Sequence, residues 1–172
     1  IFLVGDFNNW EESEKYEAHR IEETGNWELK LREKDLRHGN LYKMHVYWEG
    51  GHGERIPAWT RRVVQDDVTK IFSAQVWNPE QPYEWKKKTF KASKSPLLIY
   101  ECHIGMAEDE EKVGTYDEFR ENVLPRVIAD GYNCIQVMAI QEHPYYGSFG
   151  YHVSSFFAAS SRFGTPEQLK HL

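Results

Sequence analysis

Polar side chains cluster directly after an apolar segment in the second half of the chain. Residues 134–140 have the composition of a buried strand, and Gln141, Glu142 and His143 follow them without a break. Residues 145–152 then combine aromatic rings with glycines, and glycine lets a backbone approach a ligand closely. We therefore expect the end of this strand and the loop after it to border a ligand site.

Other residue pairs could also carry chemistry. Glu101 and His103 are two residues apart in a strand-like run, so both side chains lie on one side of it. They form either an acid/base pair or a scaffold contact in which the histidine partners a buried carboxylate. His143 and His152 lack a third ligand at suitable spacing, so no metal is expected. No cofactor is expected either, because the chain has neither a glycine-rich phosphate loop nor a G-x-S-x-G turn.

Trp10 ends a polar turn, Gly5-Asp6-Phe7-Asn8-Asn9, that follows a short apolar run. The indole either covers the edge of a sheet or stacks on the flat face of a sugar ring. The residue types alone leave both interpretations open.

Charge and composition exclude several partners. The 172 residues carry 21 basic and 27 acidic side chains, a formal net charge of −6, which argues against nucleic-acid and anionic-membrane partners. No apolar run is long enough to span a membrane, and no signal peptide is visible. Cys102 and Cys134 lie in apolar segments without metal-type spacing, so we expect reduced, buried thiols.

Residues 1–80 have the pattern of an antiparallel β protein. Short runs rich in aromatic and β-branched residues alternate with turn residues, and this spacing favours a sandwich. The runs are Ile1–Val4, Trp27–Leu31, Leu41–Trp48 and Ile71–Trp77. Pro57, in the segment 55–62, is expected to keep that segment at an edge.

Residues 81–96 are predicted to be a linker, since prolines bracket a lysine-rich stretch that includes Lys86-Lys87-Lys88.

From residue 97 the pattern becomes β-α-β-loop-α. The run 97–100 is continuously apolar, as in strands buried on both faces. Thr115 and Glu118 predict a capped helix that Gly131 ends and Pro125 kinks. Thr165, with Gln168, predicts a second cap after a long loop at 141–164. The spacing of the apolar residues predicts that one face of this helix is apolar. Its members are Tyr116, Phe119, Val123, Leu124, Val127 and Ile128.

The fold class is therefore multidomain. We expect an all-β, immunoglobulin-like sandwich over 1–80, with its first strand missing, and the first β-α-β-α units of an incomplete TIM (β/α)8 barrel over 97–172. Ile1 lies inside a strand-like run and residues 167–172 inside a helical pattern, so we expect a piece of a longer protein. In such barrels the carboxyl ends of the strands face the active site, which is where His143 and the loop after it lie.

The first half resembles a family of glycogen-binding modules. Leu-Val-Gly-Asp-Phe-Asn-Asn-Trp, ending at Trp10, is similar to the hallmark of the modules that precede branching and debranching barrels and occur in AMP-activated kinase β-subunits. The resemblance implies that Trp10 and Lys43, in Tyr42-Lys43-Met44, contact glucan.

The second half resembles the eukaryotic-type glycogen/starch branching enzymes of the α-amylase superfamily. The matching segments are Met-Ala-Ile-x-Glu-His-x-Tyr-Tyr-x-Ser-Phe-Gly-Tyr-x-Val, from Met138, and Phe-Phe-Ala-x-Ser-Ser-Arg-x-Gly-Thr-Pro-Glu, from Phe156. The resemblance implies that Tyr151 stacks under the sugar at the cleavage point, with His143, Tyr146 and His152 nearby. It also implies an α-glucan substrate, a monomeric parent enzyme and a cytoplasmic location, or a plastid location in a plant. The family's catalytic Asp, Glu and Asp follow later barrel strands, so no catalytic residue is expected in this chain.

Two alternatives come from other classes. A non-catalytic glycogen-binding or regulatory module would account for residues 1–80 only. A debranching-type glycoside hydrolase would share the architecture, but the block Ala139-Ile140-Gln141-Glu142-His143 favours branching.

Overall fold

The computed structural model describes residues 1–87, 89–91 and 95–172. The chain divides into two compact units, Ile1–Glu80 and Gln81–Leu172. The linker predicted over 81–96 lies in the second unit, and its residues 88 and 92–94 lie outside the described residues.

The first unit is antiparallel throughout. A five-stranded sheet has the order β1-β4-β7-β6, with β5 also paired to β4, and β2 and β3 form a separate two-stranded sheet. The strands are β1 (Phe2–Gly5), β2 (His19–Arg20), β3 (Trp27–Glu28), β4 (Leu41–Trp48), β5 (Gly51–Arg55), β6 (Val63–Gln65) and β7 (Phe72–Gln75). This mostly-sheet unit is compatible with the predicted β-sandwich.

Strand β4 organises the large sheet. β1 pairs with one of its edges, and β7 and β5 share the other, β7 at Leu41–Tyr42 and β5 at residues 44–48. Aromatic and β-branched residues suit this central position because they pack well on a pleated surface. The buried apolar residues of the unit are Val4, Tyr16, Ala18, Val63 and Ala74.

The sequence pattern misses part of this sheet. Strands β5 and β6 are not evident from it, and the predicted strand Trp27–Leu31 pairs only at Trp27–Glu28. Strand β5 contains Gly51 and Gly53, residues with low strand preference, and it forms because the hairpin turn at Gly50 (φ 84°) folds it onto β4.

The second unit begins with a parallel pair of strands. β8 (Ile99–His103) pairs in register with β9 (Cys134–Met138), from Ile99 opposite Cys134 to His103 opposite Met138. The connection contains α1 (Tyr116–Glu118), a π-helical turn at Phe119–Val123 and α2 (Leu124–Ala129). β10 (Gln141–Glu142), β11 (Ser155–Ala159) and α3 (Pro166–His171) follow.

The helix between the parallel strands begins and ends as predicted. The Thr115 hydroxyl accepts the Glu118 amide, the Glu118 carboxylate accepts the Thr115 amide, and Gly131 adopts φ 88° beyond the last turn. Pro125 lies in the first turn of α2, directly after the π-helical turn. A wider turn there accommodates a residue that cannot donate to the preceding carbonyl, so the break predicted at Pro125 takes this form.

The core of this unit lies between the helix and the strands. Its buried members are Cys102, Ile104, Tyr116, Phe119, Val123, Val127 and Phe163. Both cysteines are free thiols, as expected, but Cys134 is only half-buried.

Two burial predictions are wrong. The apolar run at 97–100 is not buried on both faces, since Leu97, Leu98 and Ile99 expose 64, 55 and 48 % of their surface. The physical reason is that β9 is the only strand paired with β8 in the described part of the chain. Ile128 is 61 % exposed, because the longer period of the π-helical turn rotates it off the buried face.

The segment predicted as a long loop, 141–164, contains regular structure. Glu142 and Gln141 of β10 pair with Ser155 and Ala159 of β11, with a register shift between the two pairs. Among the described residues, no helix is long and apolar enough to cross a membrane.

Candidate functional site

A tight turn presents Trp10 at the end of β1. The Asn8 side chain accepts the Gly5 amide at 2.9 Å and donates to the Leu3 carbonyl at 3.0 Å. Asn9 and Trp10 then adopt left-handed φ angles of 55° and 63°, which are uncommon for residues with a Cβ. A Cβ on Gly5 would lie 2.2 Å from the Leu41 carbonyl oxygen, so only glycine allows β1 to approach β4 here.

The structure brings Trp10 and Lys43 together. The Lys43 ammonium lies 5.9 Å from the centroid of the Trp10 ring, and it forms an ion pair with Glu54 at 2.5 Å. These three residues line a concavity of about 420 Å³ with Asp6, Leu41, Asp66, Thr69, Ile71 and Ser73. An indole face that is partly open to solvent, next to a cationic donor, suits a ring that carries hydroxyl groups.

Asp6 and Glu54 belong to this concavity, and sequence reasoning missed both. One Asp6 carboxylate oxygen accepts the Trp10 indole N–H at 3.2 Å, and the other accepts the Leu41 amide at 2.7 Å. Asp6 therefore links the turn to β4. The spacing from Asp6 to Trp10 is local and could have suggested this contact, whereas Glu54 comes from a strand that the sequence did not reveal.

In the second unit, Glu142 is a fully buried carboxylate. Its two oxygens accept the backbone amides of His143 at 3.3 Å and Ser161 at 2.7 Å. These hydrogen bonds replace the hydrogen bonds to water that the carboxylate gives up on burial. They also connect the end of β10 to the segment after β11.

His143 is also fully buried. Its Nδ1 lies 3.0 Å from the Gln141 carbonyl oxygen, which can only accept, so Nδ1 is the donor in this contact. Nε2 has no hydrogen-bond partner within residues 1–87, 89–91 and 95–172. The imidazole packs with its centroid 6.1 Å from that of the Phe163 ring.

Tyr146 contacts the same cluster from the loop. Its phenol donates to the Gly105 carbonyl at 3.0 Å, and burial raises the pKa of the Tyr146 hydroxyl, so it stays protonated. His103 lies edge-on between these residues, 6.1 Å from the Tyr146 ring and 5.6 Å from the Phe163 ring. The structure thus brings His143 and Tyr146 to one aromatic cluster through His103 and Phe163.

The imidazole of His103 is held neutral. Burial, with a smaller contribution from nearby His143, lowers the pKa of His103 below its usual 6.5. Neither ring nitrogen of His103 has a partner in the described part of the chain. Glu101 does not supply one: it is exposed and accepts from Gln136 at 2.9 Å, so the expected contact between Glu101 and His103 is absent.

Tyr151 and His152 lie on the exposed part of the loop. Tyr151 is 77 % exposed, and its amide donates to Ser148 at 3.0 Å. Gly150 precedes it with φ 82°, and a Cβ there would lie 2.4 Å from Ala139, the residue after β9. This close approach places Tyr151 near the carboxyl end of β9.

Among the described residues, no group of three or more possible ligands could hold a metal ion.

Curated proteins resemble this chain over nearly its whole length. No family model matches the chain. Curated relatives named 1,4-alpha-glucan-branching enzyme match nearly all of it: 45 % identity in Rhizophagus irregularis, 41 % in Dictyostelium discoideum and 44 % in Saccharomyces cerevisiae, over 99, 100 and 99 % of this chain. The match covers 25, 26 and 26 % of those relatives, so the chain spans about a quarter of their length.

Solved structures show a similar fold. The catalytic module of the multi-modular glycogen-degrading pneumococcal virulence factor SpuA matches with a TM-score of 0.54 at 16 % identity, over 77 % of this chain and 25 % of that one. The Group B Streptococcus pullulanase SAP matches with a TM-score of 0.55 at 17 % identity, over 76 and 21 %. Since identity above 40 % extends over essentially the whole chain, this chain belongs to the 1,4-alpha-glucan-branching enzyme family.

Proposed function

We propose that this chain is part of an enzyme that cleaves an α-1,4 bond in a glucan and transfers the released segment to a 6-hydroxyl, which creates an α-1,6 branch. The observation that carries this proposal is the 41–46 % identity to relatives named for branching, over 99–100 % of the chain. The substrate class is an α-glucan such as glycogen or starch.

Each unit has a role in this proposal. Residues 1–80 are a glucan-binding module of the β-sandwich type, and residues 97–172 are the start of the catalytic barrel. Supporting this division, the first unit is antiparallel, whereas β8 and β9 of the second are parallel and joined through a helix. Trp10 and Lys43 are the proposed glucan contacts of the module, because they share one concavity.

Tyr151 is the proposed platform under the sugar at the bond that is cut. Its ring is open to solvent and lies near the carboxyl end of a parallel strand, the end at which barrels of this kind react. His152 is exposed beside it and is a candidate for hydroxyl contacts. His143 and Tyr146 are proposed to act from beneath the loop that carries Tyr151. His143 is buried, and the Tyr146 hydroxyl donates to the Gly105 carbonyl.

The reacting carboxylates are proposed to lie in the part of the enzyme beyond these residues. Retention of configuration needs two carboxyl groups about 5–5.5 Å apart across the scissile bond. The buried Glu142 is bonded to backbone amides and cannot reach a substrate in this arrangement.

The test is a branching assay on the full-length parent enzyme. Incubation with amylose should shift the iodine absorption spectrum to shorter wavelengths. It should also produce α-1,6 linkages, which isoamylase can hydrolyse. A parent enzyme that forms no new α-1,6 linkage in amylose and instead hydrolyses the α-1,6 bonds of glycogen would contradict the proposal, and would favour the debranching-type hydrolase.

A further inference from the structure

Two residues close to Tyr151 adopt backbone angles that residues with a Cβ rarely take. Ala139 has φ 56° and Phe149 has φ 51°, and neither has the short polar side chain that makes such angles easier for Asn and Asp. Strain of this kind persists only where the surrounding structure imposes it, and it is concentrated at functional sites. The other non-glycine residues with positive φ in the described part of the chain lie in turns that border the Trp10 concavity: Asn9, Trp10 and Lys70.

Gly150 lies directly against the backbone of Ala139. A Cβ on Gly150 would overlap the Cα and the Cβ of Ala139, which is the first residue after β9. The φ of 82° at Gly150 is a second reason for glycine at this position. The loop can therefore contact the end of the strand this closely only because residue 150 has no side chain.

The rest of the loop is held by its own backbone and by the neighbouring strand. The amides of Ser148, Phe149 and Tyr151 each donate to the carbonyl three residues earlier, at 2.9–3.1 Å. The Phe149 ring lies edge-on to His103, the last residue of β8, with 6.3 Å between the ring centroids. The Tyr151 ring itself is 77 % exposed, so the backbone beside it does most to set its position.

We propose that Ala139 and Gly150 are positioning residues, whose contact holds the loop on the end of β9 and so places the Tyr151 ring for the glucan. The role of Tyr151 rests on the proposed function, whereas the contact rests on the geometry of the loop and the strand. A ring that is positioned before binding loses less conformational entropy when the ligand arrives. A misplacement of about 1 Å can lower turnover by as much as about a hundredfold.

The first test compares Gly150→Ala with Gly131→Ala in the full-length parent. Both glycines have similar backbone angles, φ 82° and 88°, but a Cβ on Gly131 would meet nothing within 4 Å. Gly150→Ala should lower the turnover number with amylose about tenfold, because the loop must move off the strand. Gly131→Ala should lose stability through its backbone angle and keep its turnover number. Equal turnover numbers in the two variants would overturn the inference.

Ala139→Gly is a second variant that should fold even if Gly150→Ala does not. Glycine accepts the φ of 56° without strain, so the melting temperature should not fall far, whereas the loop loses part of its contact. The turnover number should fall about threefold with little change in KM. An Ala139→Gly enzyme with normal turnover would contradict the positioning role.

A double-mutant cycle separates positioning from a general loss of structure. If Gly150 acts through Tyr151, the double variant Gly150→Ala/Tyr151→Ala should be no slower than Tyr151→Ala alone. Losses that multiply would mean that Gly150 acts independently of Tyr151, and would overturn the inference.

Hydrogen exchange in the same full-length variants, without substrate, gives a readout that does not depend on catalysis. The amides of Ser148, Phe149 and Tyr151 should exchange about fivefold faster in Gly150→Ala and Ala139→Gly than in Gly131→Ala, since their hydrogen bonds depend on the loop staying on the strand. Unchanged exchange would show that the contact does not hold the loop. Branching by the unaltered parent is measured separately, so a parent that does not branch refutes the proposed function, while exchange still decides whether the contact holds the loop.

Discussion

At the residue scale, the chain combines exposed aromatic rings with buried polar groups that hold them. Tyr151 and Trp10 are open to solvent, whereas Asp6 fixes the Trp10 turn and Glu142 fixes the segment beneath the Tyr151 loop. Flat open rings are suited to sugar faces, and rings that are already positioned lose little conformational entropy on binding.

Tyr151→Ala in the full-length parent should lower the turnover number as well as the affinity. A ring under the sugar favours the flattened, positively charged transition state by roughly 0.5–2 kcal/mol through cation–π attraction, which predicts a loss of up to about thirtyfold. Tyr151→Phe keeps the ring and should lose less. Steady-state kinetics with amylose provide the measurement, and a Tyr151→Ala enzyme with near-normal turnover would rule out the role.

Trp10→Ala should weaken glycogen binding by the chain, because it removes the ring that Lys43 faces at 5.9 Å. An affinity gel measures this as reduced retardation. Trp48→Ala is a matched control, since Trp48 is similarly exposed but packs on Arg55 and lies outside the Trp10 concavity. Equal retardation of the two variants would mean that Trp10 covers the sheet edge.

His103 should make stability depend on pH. Its pKa is lowered in the folded chain below the usual 6.5, so the unfolded chain binds the proton first as the pH falls. The contribution of this group is complete above pH 6.5 and is lost as the pH falls through the folded pKa. Urea unfolding between pH 7.5 and 5.5 should show a smaller loss of stability in His103→Gln than in the unaltered chain. If the free energy of unfolding changed with pH equally in the two chains, the prediction would be contradicted.

At the element scale, short-range signals determine where helices start. The capping boxes at Thr115–Glu118 and Thr165–Gln168, in which a side chain of each residue bonds the backbone amide of the other, both form. Each needs contacts only between residues three apart. Strand signals are weaker. Strand β4 forms over its predicted residues. Strand β5 has little strand preference of its own and forms by folding back onto β4, and β11 depends on pairing with β10 across the loop between them.

Thr115→Ala should destabilise the second unit by about 1 kcal/mol, the usual cost of losing a side-chain N-cap. The hydroxyl that accepts the Glu118 amide at 3.2 Å is lost, and the Glu118 carboxylate no longer has its hydroxyl donor at 3.0 Å. Thr115→Ser keeps both hydrogen bonds and serves as the control. Thermal unfolding should separate the two variants; a Thr115→Ala chain that melts with Thr115→Ser would contradict the role of the cap.

At the scale of the whole molecule, the chain consists of two units of different construction. One is an antiparallel sheet, and the other is a parallel pair of strands with a connecting helix. Exposed apolar residues on β8 and at Ile128 leave faces of the second unit open in the described residues. The chain spans about a quarter of the length of its curated relatives, and the proposed function assigns the reacting carboxylates to the remaining part of such an enzyme.

The 172-residue chain alone should show no branching activity. The proposed function assigns the reacting carboxylates to another part of the enzyme, and Glu142 is buried against backbone amides. Amylose incubated with the chain should keep its iodine spectrum and gain no α-1,6 linkages, as in a heat-inactivated control. Activity above that control would contradict the assignment of the reacting groups to the rest of the enzyme.

The sequence by itself determined the family, the change from antiparallel to parallel strands after residue 80, and the local signals at Thr115, Gly131 and Thr165. Each depends on residue identity or on contacts a few positions apart. The tertiary structure alone decided that Lys43 faces Trp10, that His143 is buried and that the run at 97–100 is exposed. Burial and long-range pairing depend on which distant segments pack together, and residue types constrain that packing only weakly.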